Sequence, residues 1–222
     1  MSVCTGWKPV LPGCAFGEGA WGEESGVQDP GPPPAKHQQD KVPSMTPKRL
    51  KQGLIQVYTG DGKGKTTCAL GLALRAVGQG FKVFMIQFLK TDVTGEVEAA
   101  RRLAPDFTIQ SFGTPGFPRL TDPDPQTLEA ARQAFTLARR VILAGEHDLV
   151  LLDEVNLTLT YGLVSLAEML EVLRQRPAHV EVVLTGRAAP PELVDCADLV
   201  TEMRPVKHYF EAGIKARRGI EW

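Results

Sequence analysis

Residues 54–67 read Leu-Ile-Gln-Val-Tyr-Thr-Gly-Asp-Gly-Lys-Gly-Lys-Thr-Thr, and this stretch carries most of the information about the fold. Its apolar beginning is typical of a buried strand, and a glycine-rich turn that contains Gly-Lys-Thr follows directly. Glycines let the backbone N–H groups of such a turn point inward at phosphate oxygens, and the following helix adds the positive end of its dipole. Strand, turn and helix in this order predict a site for a nucleotide triphosphate.

Two side chains of this turn have predicted roles. Lys65 supplies a mobile positive charge, and the Thr66 hydroxyl is placed to ligate a magnesium ion that rides on the phosphates. The spacing departs from the usual Gly-x-x-x-x-Gly-Lys-Ser/Thr pattern, because Thr59 stands where the first glycine is expected. Either the loop is shortened and begins at Gly60, or it begins on threonine. The departure indicates that the triphosphate is held differently than in ordinary ATPases.

Composition excludes several classes of function. The chain has 222 residues, with 25 basic and 26 acidic residues and a net charge of −1, so it has no overall electrostatic footprint for nucleic acid. No apolar run is long enough to span a bilayer. The four cysteines form no Cys-x-x-Cys pair and have no metal-ligand spacing with the histidines. These features predict a soluble protein of a reducing cytoplasm that binds neither nucleic acid nor membrane.

The first 44 residues differ from the rest of the chain. They are rich in Gly and Pro, show neither helical nor strand periodicity, and lack the basic start and apolar core of a secretory signal. One interpretation is a disordered polar extension. A second hypothesis is that Met45 is the true start. Either way, residues 45–222 are the predicted folded domain, and residues 1–44 are assigned no function.

From Met45 onward, short apolar stretches alternate with longer helical ones. The predicted strands are Leu54–Tyr58, Phe81–Phe88, Phe107–Ser111, Leu149–Leu152, Val180–Leu184 and Leu199–Met203. The predicted helices are Lys65–Val77, with Leu70, Leu74 and Val77 on its apolar face, Gly95–Leu103, Pro125–Ala144 and Ser165–Arg174. This alternation predicts an α/β fold, a P-loop NTPase-like parallel sheet with helices on both faces, in a single domain.

A second element of the phosphate site follows the strand Leu149–Leu152, which ends in Asp153 and Glu154. The carboxyl ends of parallel strands share one edge of a sheet, so these carboxylates should emerge beside the phosphate loop. One of these two carboxylates can bind Mg²⁺ there, directly or through water, since magnesium prefers hard oxygen ligands. The alternative is an ordinary strand end that meets a helix N-terminus, where acidic residues are stabilised. The sequence contains no recognisable protein nucleophile, so a second substrate would have to supply one.

Two further segments indicate a family. Residues 180–187 place Thr-Gly-Arg at the end of a strand, and residues 203–222 read Met-Arg-Pro-Val-Lys-His-Tyr-Phe-Glu-Ala-Gly-Ile-Lys-Ala-Arg-Arg-Gly-Ile-Glu-Trp. Together with residues 59–67 and Leu-Leu-Asp-Glu-Val-Asn at 151–156, they resemble the P-loop type of ATP:corrinoid adenosyltransferase. The resemblance runs from about Gly53 to the last residue. The C-terminal string is its most specific part, and the family shares the shortened glycine loop.

The resemblance implies a reaction in which the protein supplies no nucleophile. The family transfers the 5′-deoxyadenosyl group of ATP to the Co(I) of a reduced corrinoid and releases triphosphate, in adenosylcobalamin biosynthesis or salvage. Co(I) attacks the ribose C5′, and the triphosphate lies reversed in the loop relative to other P-loop enzymes. The resemblance further implies Mg²⁺ (or Mn²⁺), a homodimer, and an electron donor such as a reduced flavoprotein.

The resemblance also implies which residues bind the substrates. Lys65 and Glu154 would be catalytic, and Thr66 and Glu154 would hold the metal, with Asp153 as the second choice for that role. The nucleotide would be bound by Gly60, Asp61, Gly62, Lys63, Gly64, Lys65, Thr66, Thr67, Arg187, Lys207 and His208. Arg187 would serve equally well in a structural ion pair, and the basic residues near the C-terminus would serve equally well as solvated surface charges.

On the corrinoid side, the family commonly carries Gly-Phe-Thr-Trp, which packs under the corrin ring and helps remove the lower cobalt ligand. The corresponding residues here are Gly-Phe-Pro-Arg at 116–119, so Phe117 is the predicted corrinoid contact and Arg119 replaces the usual tryptophan. The alternative is that Phe117 anchors a Gly/Pro-rich loop.

Two hypotheses from other classes compete with the adenosyltransferase. A P-loop kinase or ATPase would transfer or hydrolyse the γ-phosphoryl group and would need a residue that orients the attacking oxygen. A non-catalytic nucleotide switch or corrinoid carrier would release no product at all. The product therefore separates the three hypotheses: triphosphate, ADP with phosphate, or none.

Overall fold

The computed structural model of the protein describes residues 49–116 and 118–221. The predicted tail at residues 1–44 and the predicted corrinoid contact Phe117 lie outside the described residues. Within the described ranges, no helix is both long enough and apolar enough to cross a membrane.

Strands and helices alternate along the described chain. In order, they are β1 (Ile55–Thr59), α1 (Lys65–Gly78), β2 (Val83–Phe88), α2 (Gly95–Leu103), β3 (Phe107–Phe112), α3 (Pro125–Ala144), β4 (Leu149–Asp153), α4 (Val155–Thr160), α5 (Leu166–Gln175), β5 (Glu181–Thr185), α6 (Pro191–Cys196) and β6 (Leu199–Glu202). All six strands pair in parallel, in the order β3-β2-β4-β5-β1-β6. The predicted parallel α/β sheet is confirmed.

Helices cover both faces of the sheet. Helices α1 and α2 pack on one face, and α3 to α6 pack on the other. Strand β4 shows the alternation, since Leu149 and Leu151 point to the α1 face while Val150 and Leu152 point to the α3 face. Such two-sided burial is why the central strands are mostly apolar on both faces.

The strand order determines what meets at the sheet edge. Strand β5 lies between β1, which leads into the glycine loop, and β4, which ends at Asp153. The carboxyl ends of β1, β5 and β4 therefore form one edge, at which the loop, Thr185 and Asp153 come together.

Helices α4 and α6 were not predicted, because each has only six residues and shows no full period of apolar positions.

The predicted apolar face of α1 is only partly confirmed, because Leu70 and Val77 pack against the core but Leu74 does not. The helix buries Ala69, Ala73 and Ala76 against the sheet, whereas the side chain of Leu74 is 62% exposed. Leu70 and Val77 are only partly buried. Small side chains let a helix backbone approach a sheet closely, so the alanine stripe faces inward although leucine is more apolar.

The orientation of α1 predicts opposite outcomes for two adjacent residues. Ala73→Leu should destabilise the protein by about 1–3 kcal/mol, because extra methylene groups have no room under the helix. Leu74→Gln should change the unfolding free energy by less than about 0.5 kcal/mol. Denaturant unfolding of both variants measures the difference. A larger loss for Leu74→Gln than for Ala73→Leu would contradict the observed orientation.

Candidate active site

The glycine loop is held tightly against the start of the C-terminal segment, Met203–Glu221. Gly60 has φ 92° and Gly64 has φ 125°, in the region that favours glycine. A Cβ at Gly60 would lie 2.4 Å from the carbonyl oxygen of Met203, and one at Gly62 would lie 2.8 Å from the same oxygen. The Gly62 N–H donates to that oxygen at 2.7 Å. This loop amide is therefore bonded within the protein rather than directed at a phosphate.

Lys65 is bent back over its own loop. Its ammonium donates to the carbonyl oxygens of Gly60 at 2.6 Å and Gly62 at 2.8 Å. The residue is only 7% exposed, and burial lowers the pKa of Lys65. The glycine loop thus surrounds a positive charge that has little water around it, which favours an anionic ligand.

Lys63 joins the loop to the end of the C-terminal segment. Its ammonium contacts the Tyr209 hydroxyl at 3.0 Å, the Ile220 carbonyl oxygen at 3.1 Å and the Glu221 carboxylate at 2.8 Å. Hydrogen bonds from Arg217, Lys63 and Tyr209 lower the pKa of Glu221, so this carboxylate is ionised throughout the usual pH range. The C-terminal segment is in this way fastened beside the phosphate loop.

Asp153 is the centre of a buried polar cluster behind the loop. Its Oδ1 accepts hydrogen bonds from the hydroxyls of Thr66 at 2.8 Å and Thr185 at 2.7 Å. Its Oδ2 contacts the Lys90 ammonium at 2.6 Å, and Gln87 reaches the same oxygen at 3.4 Å. The side chain of Asp153 is fully buried. Thr66 thus meets Asp153, the second choice of the sequence prediction for the metal.

Glu154 lies one residue further and faces the cavity. It has φ 61°, an uncommon conformation for a residue other than glycine, and its backbone N–H donates to the Thr185 hydroxyl at 3.0 Å. Burial, together with the negative charge of Asp153, raises the pKa of Glu154. A carboxyl group in this environment is well suited to binding a cation or holding a proton.

A cavity of about 530 Å³ joins these parts. Its wall contains the loop residues 61–67, Lys90, Glu96, Glu154, Arg187 and eight residues of the C-terminal segment, among them His208, Tyr209 and Glu221. Two predicted site residues, Gly60 and Lys207, are not part of this wall. The Gly60 carbonyl oxygen instead accepts a hydrogen bond from the Lys65 ammonium, and Lys207 is exposed. The structure therefore brings together most of the predicted nucleotide-binding residues.

The ion pair that was the alternative role of Arg187 is present in the structure. Its guanidinium lies 3.8 Å from the Asp61 carboxylate, and both side chains are more than half exposed. Exposed ion pairs of this kind contribute little to stability. Arg187 is accordingly free to turn toward a ligand in the cavity, which it also lines.

Comparison with known proteins identifies the family. The family described as ATP:corrinoid adenosyltransferase BtuR/CobO/CobP matches residues 51–222. This chain belongs to that family. A corrinoid adenosyltransferase of Pseudomonas aeruginosa is 39% identical over 175 residues, which cover 78% of this chain and 86% of the relative. Corrinoid adenosyltransferase CobA of Salmonella typhimurium is 36% identical over 193 residues, which cover 84% of this chain and 97% of the relative.

A solved structure supports the fold alone. The flagellar accessory protein FlaH from Methanocaldococcus jannaschii matches with a TM-score of 0.50 at 11% sequence identity, covering 69% of this chain and 72% of FlaH.

The family assignment confirms the predicted enzyme class: this ATP:corrinoid adenosyltransferase adenosylates corrinoids in cobalamin biosynthesis or salvage. The competing kinase, ATPase and carrier hypotheses are therefore set aside.

Sequence reasoning missed several residues of this adenosyltransferase site. Lys90 was not singled out, although a lysine two positions after the predicted strand that ends at Phe88 must lie near the carboxyl edge of the sheet. Tyr209 and Glu221 belong to the C-terminal string that identifies the family, but no role was assigned to them. Their contact with Lys63 joins residues 146 and 158 positions apart in the chain, which no local pattern indicates.

The oxygen atoms behind the loop fit a magnesium ion. Thr66 Oγ1 and Asp153 Oδ1 are hard oxygen donors 2.8 Å apart, and Glu154 adds a carboxylate on the cavity wall. Magnesium prefers such ligands and usually takes its remaining ones from phosphates and water. The cationic side chain of Lys90 already contacts two of these residues, which indicates that this position attracts positive charge.

Proposed function

We propose that the cavity holds ATP with its triphosphate over the glycine loop, and that the corrinoid approaches from the open side of the cavity. The observation that carries this proposal is that the phosphate loop and the family-specific C-terminal segment line the same cavity. A loop that binds triphosphate and a segment characteristic of corrinoid adenosylation would then act on one pair of substrates.

In the proposed reaction, the protein positions the reactants and stabilises charge. The Co(I) electron pair of the reduced corrinoid forms a bond to the ribose C5′. The bond between C5′ and the triphosphate oxygen breaks, and triphosphate leaves with the two electrons of that C5′–O bond. Lys63 and Lys65 would neutralise the leaving triphosphate, with support from Arg187 and His208 on the cavity wall. Positioned charges in a partly dry cavity account for most of such an acceleration.

Thr66 and Asp153 would hold Mg²⁺ (or Mn²⁺), and Glu154 is the further candidate ligand. The bound ion would draw charge from the phosphate oxygens and so make triphosphate a better leaving group. The fully buried Asp153 carboxylate supports this assignment, since it is the acidic side chain in direct contact with Thr66.

We further propose a cytoplasmic homodimer that receives its corrinoid as Co(I) from an electron donor such as a reduced flavoprotein. These proposals rest on the resemblance to the family. Phe117 remains the proposed corrinoid contact by the match of residues 116–119 to the family sequence.

The decisive experiment is anaerobic adenosylation with product analysis. The enzyme is mixed with MgATP and chemically reduced cob(I)alamin, and the visible spectrum is followed. We expect light-sensitive adenosylcobalamin and one intact triphosphate for each corrinoid converted. Parallel assays with cobinamide and a cobyrinic acid amide identify the preferred acceptor from kcat/KM. Release of ADP and phosphate with all three acceptors would overturn the proposed reaction.

A further inference from the structure

Lys90 has an unusual position for a lysine that follows a strand. The backbone turns at Leu89, which has φ 58°, and brings Lys90 back over the carboxyl edge of the sheet. Gly113 packs against this turn so closely that a Cβ there would lie 2.5 Å from the Lys90 backbone nitrogen. A left-handed residue other than glycine is retained only where the surroundings hold it. The turn therefore fixes where the Lys90 side chain begins.

The Lys90 ammonium lies among the groups assigned to the metal. It is 2.6 Å from Asp153 Oδ2 and 3.2 Å from Thr66 Oγ1. The side chain is 26% exposed, and it also forms part of the cavity wall. Since Asp153 is fully buried, this ammonium is the charge that directly neutralises it.

We propose that Lys90 competes with the divalent cation for Asp153 and Thr66, so that the cation binds this enzyme together with the nucleotide and not by itself. The inference rests on the metal assignment proposed above. An ammonium and a divalent ion repel each other strongly when both lie next to one carboxylate. Lys90 must therefore leave Asp153 when the cation enters.

The nucleotide makes that exchange favourable. A triphosphate brings several negative charges into the cavity, which already contains Glu96 and Glu154 near Lys90. The flexible lysine stem allows the ammonium to turn from Asp153 toward phosphate oxygens in the same cavity. A cation without nucleotide brings no new anion for Lys90, and Asp153 is the carboxylate that Lys90 contacts at 2.6 Å, so Lys90 stays there and keeps the cation out.

The test measures binding of Mn²⁺ alone, by electron paramagnetic resonance, to the full-length enzyme without nucleotide. We expect weak binding to the wild type. In Lys90→Met, the dissociation constant for Mn²⁺ should fall by about tenfold or more, because the carboxylate is no longer neutralised. Added Mn²⁺ should also raise the unfolding temperature of Lys90→Met but not that of the wild type.

Three further variants make the result specific. Lys90→Gln keeps a hydrogen-bond donor for Asp153 without the charge, and it should show the same gain if Lys90→Met folds poorly. Lys63→Met is the matched control. It also removes an ammonium from the cavity wall, but the Lys63 ammonium contacts Glu221 instead of Asp153. Its Mn²⁺ affinity should equal that of the wild type. Adding Asp153→Asn to Lys90→Met should abolish the gain.

Two outcomes separate this inference from the metal assignment beneath it. If Asp153→Asn in the wild-type background binds Mn²⁺ with ATP as tightly as the wild type, the metal assignment itself is wrong. If Asp153→Asn weakens that binding but folded Lys90→Met and Lys90→Gln bind Mn²⁺ alone no tighter than the wild type, only the role of Lys90 is overturned. An equal gain in Mn²⁺ affinity in Lys63→Met would mean that the effect comes from the overall charge of the cavity, and it would also overturn the proposal.

Discussion

Lys65→Met is expected to lower kcat/KM for ATP by about 10²- to 10³-fold, measured in the anaerobic adenosylation assay with cob(I)alamin. Lys65 is 7% exposed, and its ammonium donates to the carbonyl oxygens of Gly60 and Gly62 in the glycine loop. Negative charge increases on the triphosphate as its bond to C5′ breaks, and a poorly solvated positive charge stabilises that change strongly. Methionine keeps the length and packing of the stem and removes only the charge and its hydrogen bonds.

The loss should appear mainly in kcat, because the interaction is strongest when the triphosphate leaves. Lys65→Arg should not restore activity, since a guanidinium is longer and bulkier than the ammonium and Lys65 is buried in the loop. Lys82→Met is the control: Lys82 is exposed and lies just before β2, at the opposite end of the strands. Its activity should stay within about twofold of the wild type. Activity of Lys65→Met within threefold of the wild type would contradict the proposed role.

The sheet and the phosphate loop could be predicted because their signals are local. Each strand is a short apolar run, and the glycines of the loop appear together with Lys65 and Thr66 in one segment. The buried face of α1 could not be predicted in the same way. Which stripe of an Ala- and Leu-rich helix turns inward depends on how closely the helix approaches the sheet, and this is a property of the packed fold.

The contact between Thr66 and Asp153 could not be predicted from the local sequence alone. Side chains alternate along a strand, so Asp153 points to the same face of β4 as Leu151, which is the face covered by α1. Because Thr66 begins α1, the carboxylate on that face meets it. Reaching this conclusion from sequence would require the strand order, since the face that α1 covers depends on where β1 lies relative to β4.

Lys90 and the C-terminal segment could not be placed from sequence for a different reason. A lysine after a strand is usually solvated, and its position here depends on the left-handed turn at Leu89 and on its packing against Gly113. The C-terminal string identified the family but gave no indication that Glu221 reaches Lys63. Contacts between distant parts of the chain follow from the whole fold rather than from any segment.

Asp153→Asn is expected to lower adenosylation activity by about 10²-fold and to weaken Mn²⁺ binding in the presence of ATP by at least about tenfold. The amide removes the negative charge that attracts the ion. It also places N–H donors where Asp153 now accepts hydrogen bonds from Thr66 and Thr185 and contacts the Lys90 ammonium. Electron paramagnetic resonance of Mn²⁺ with ATP measures the affinity, and denaturant unfolding confirms that the variant is folded.

Glu154→Gln is the matched comparison, because it makes the same chemical change at the next residue. Glu154 lines the cavity but forms no hydrogen bond with Thr66, whereas Asp153 accepts one from the Thr66 hydroxyl at 2.8 Å. We therefore expect Glu154→Gln to slow adenosylation while Mn²⁺ affinity with ATP changes by less than about threefold. The opposite result, a large loss of metal affinity in Glu154→Gln and none in folded Asp153→Asn, would make Glu154 the metal ligand. Asp153 would then serve to orient Thr66, and the competition assigned to Lys90 would have no basis.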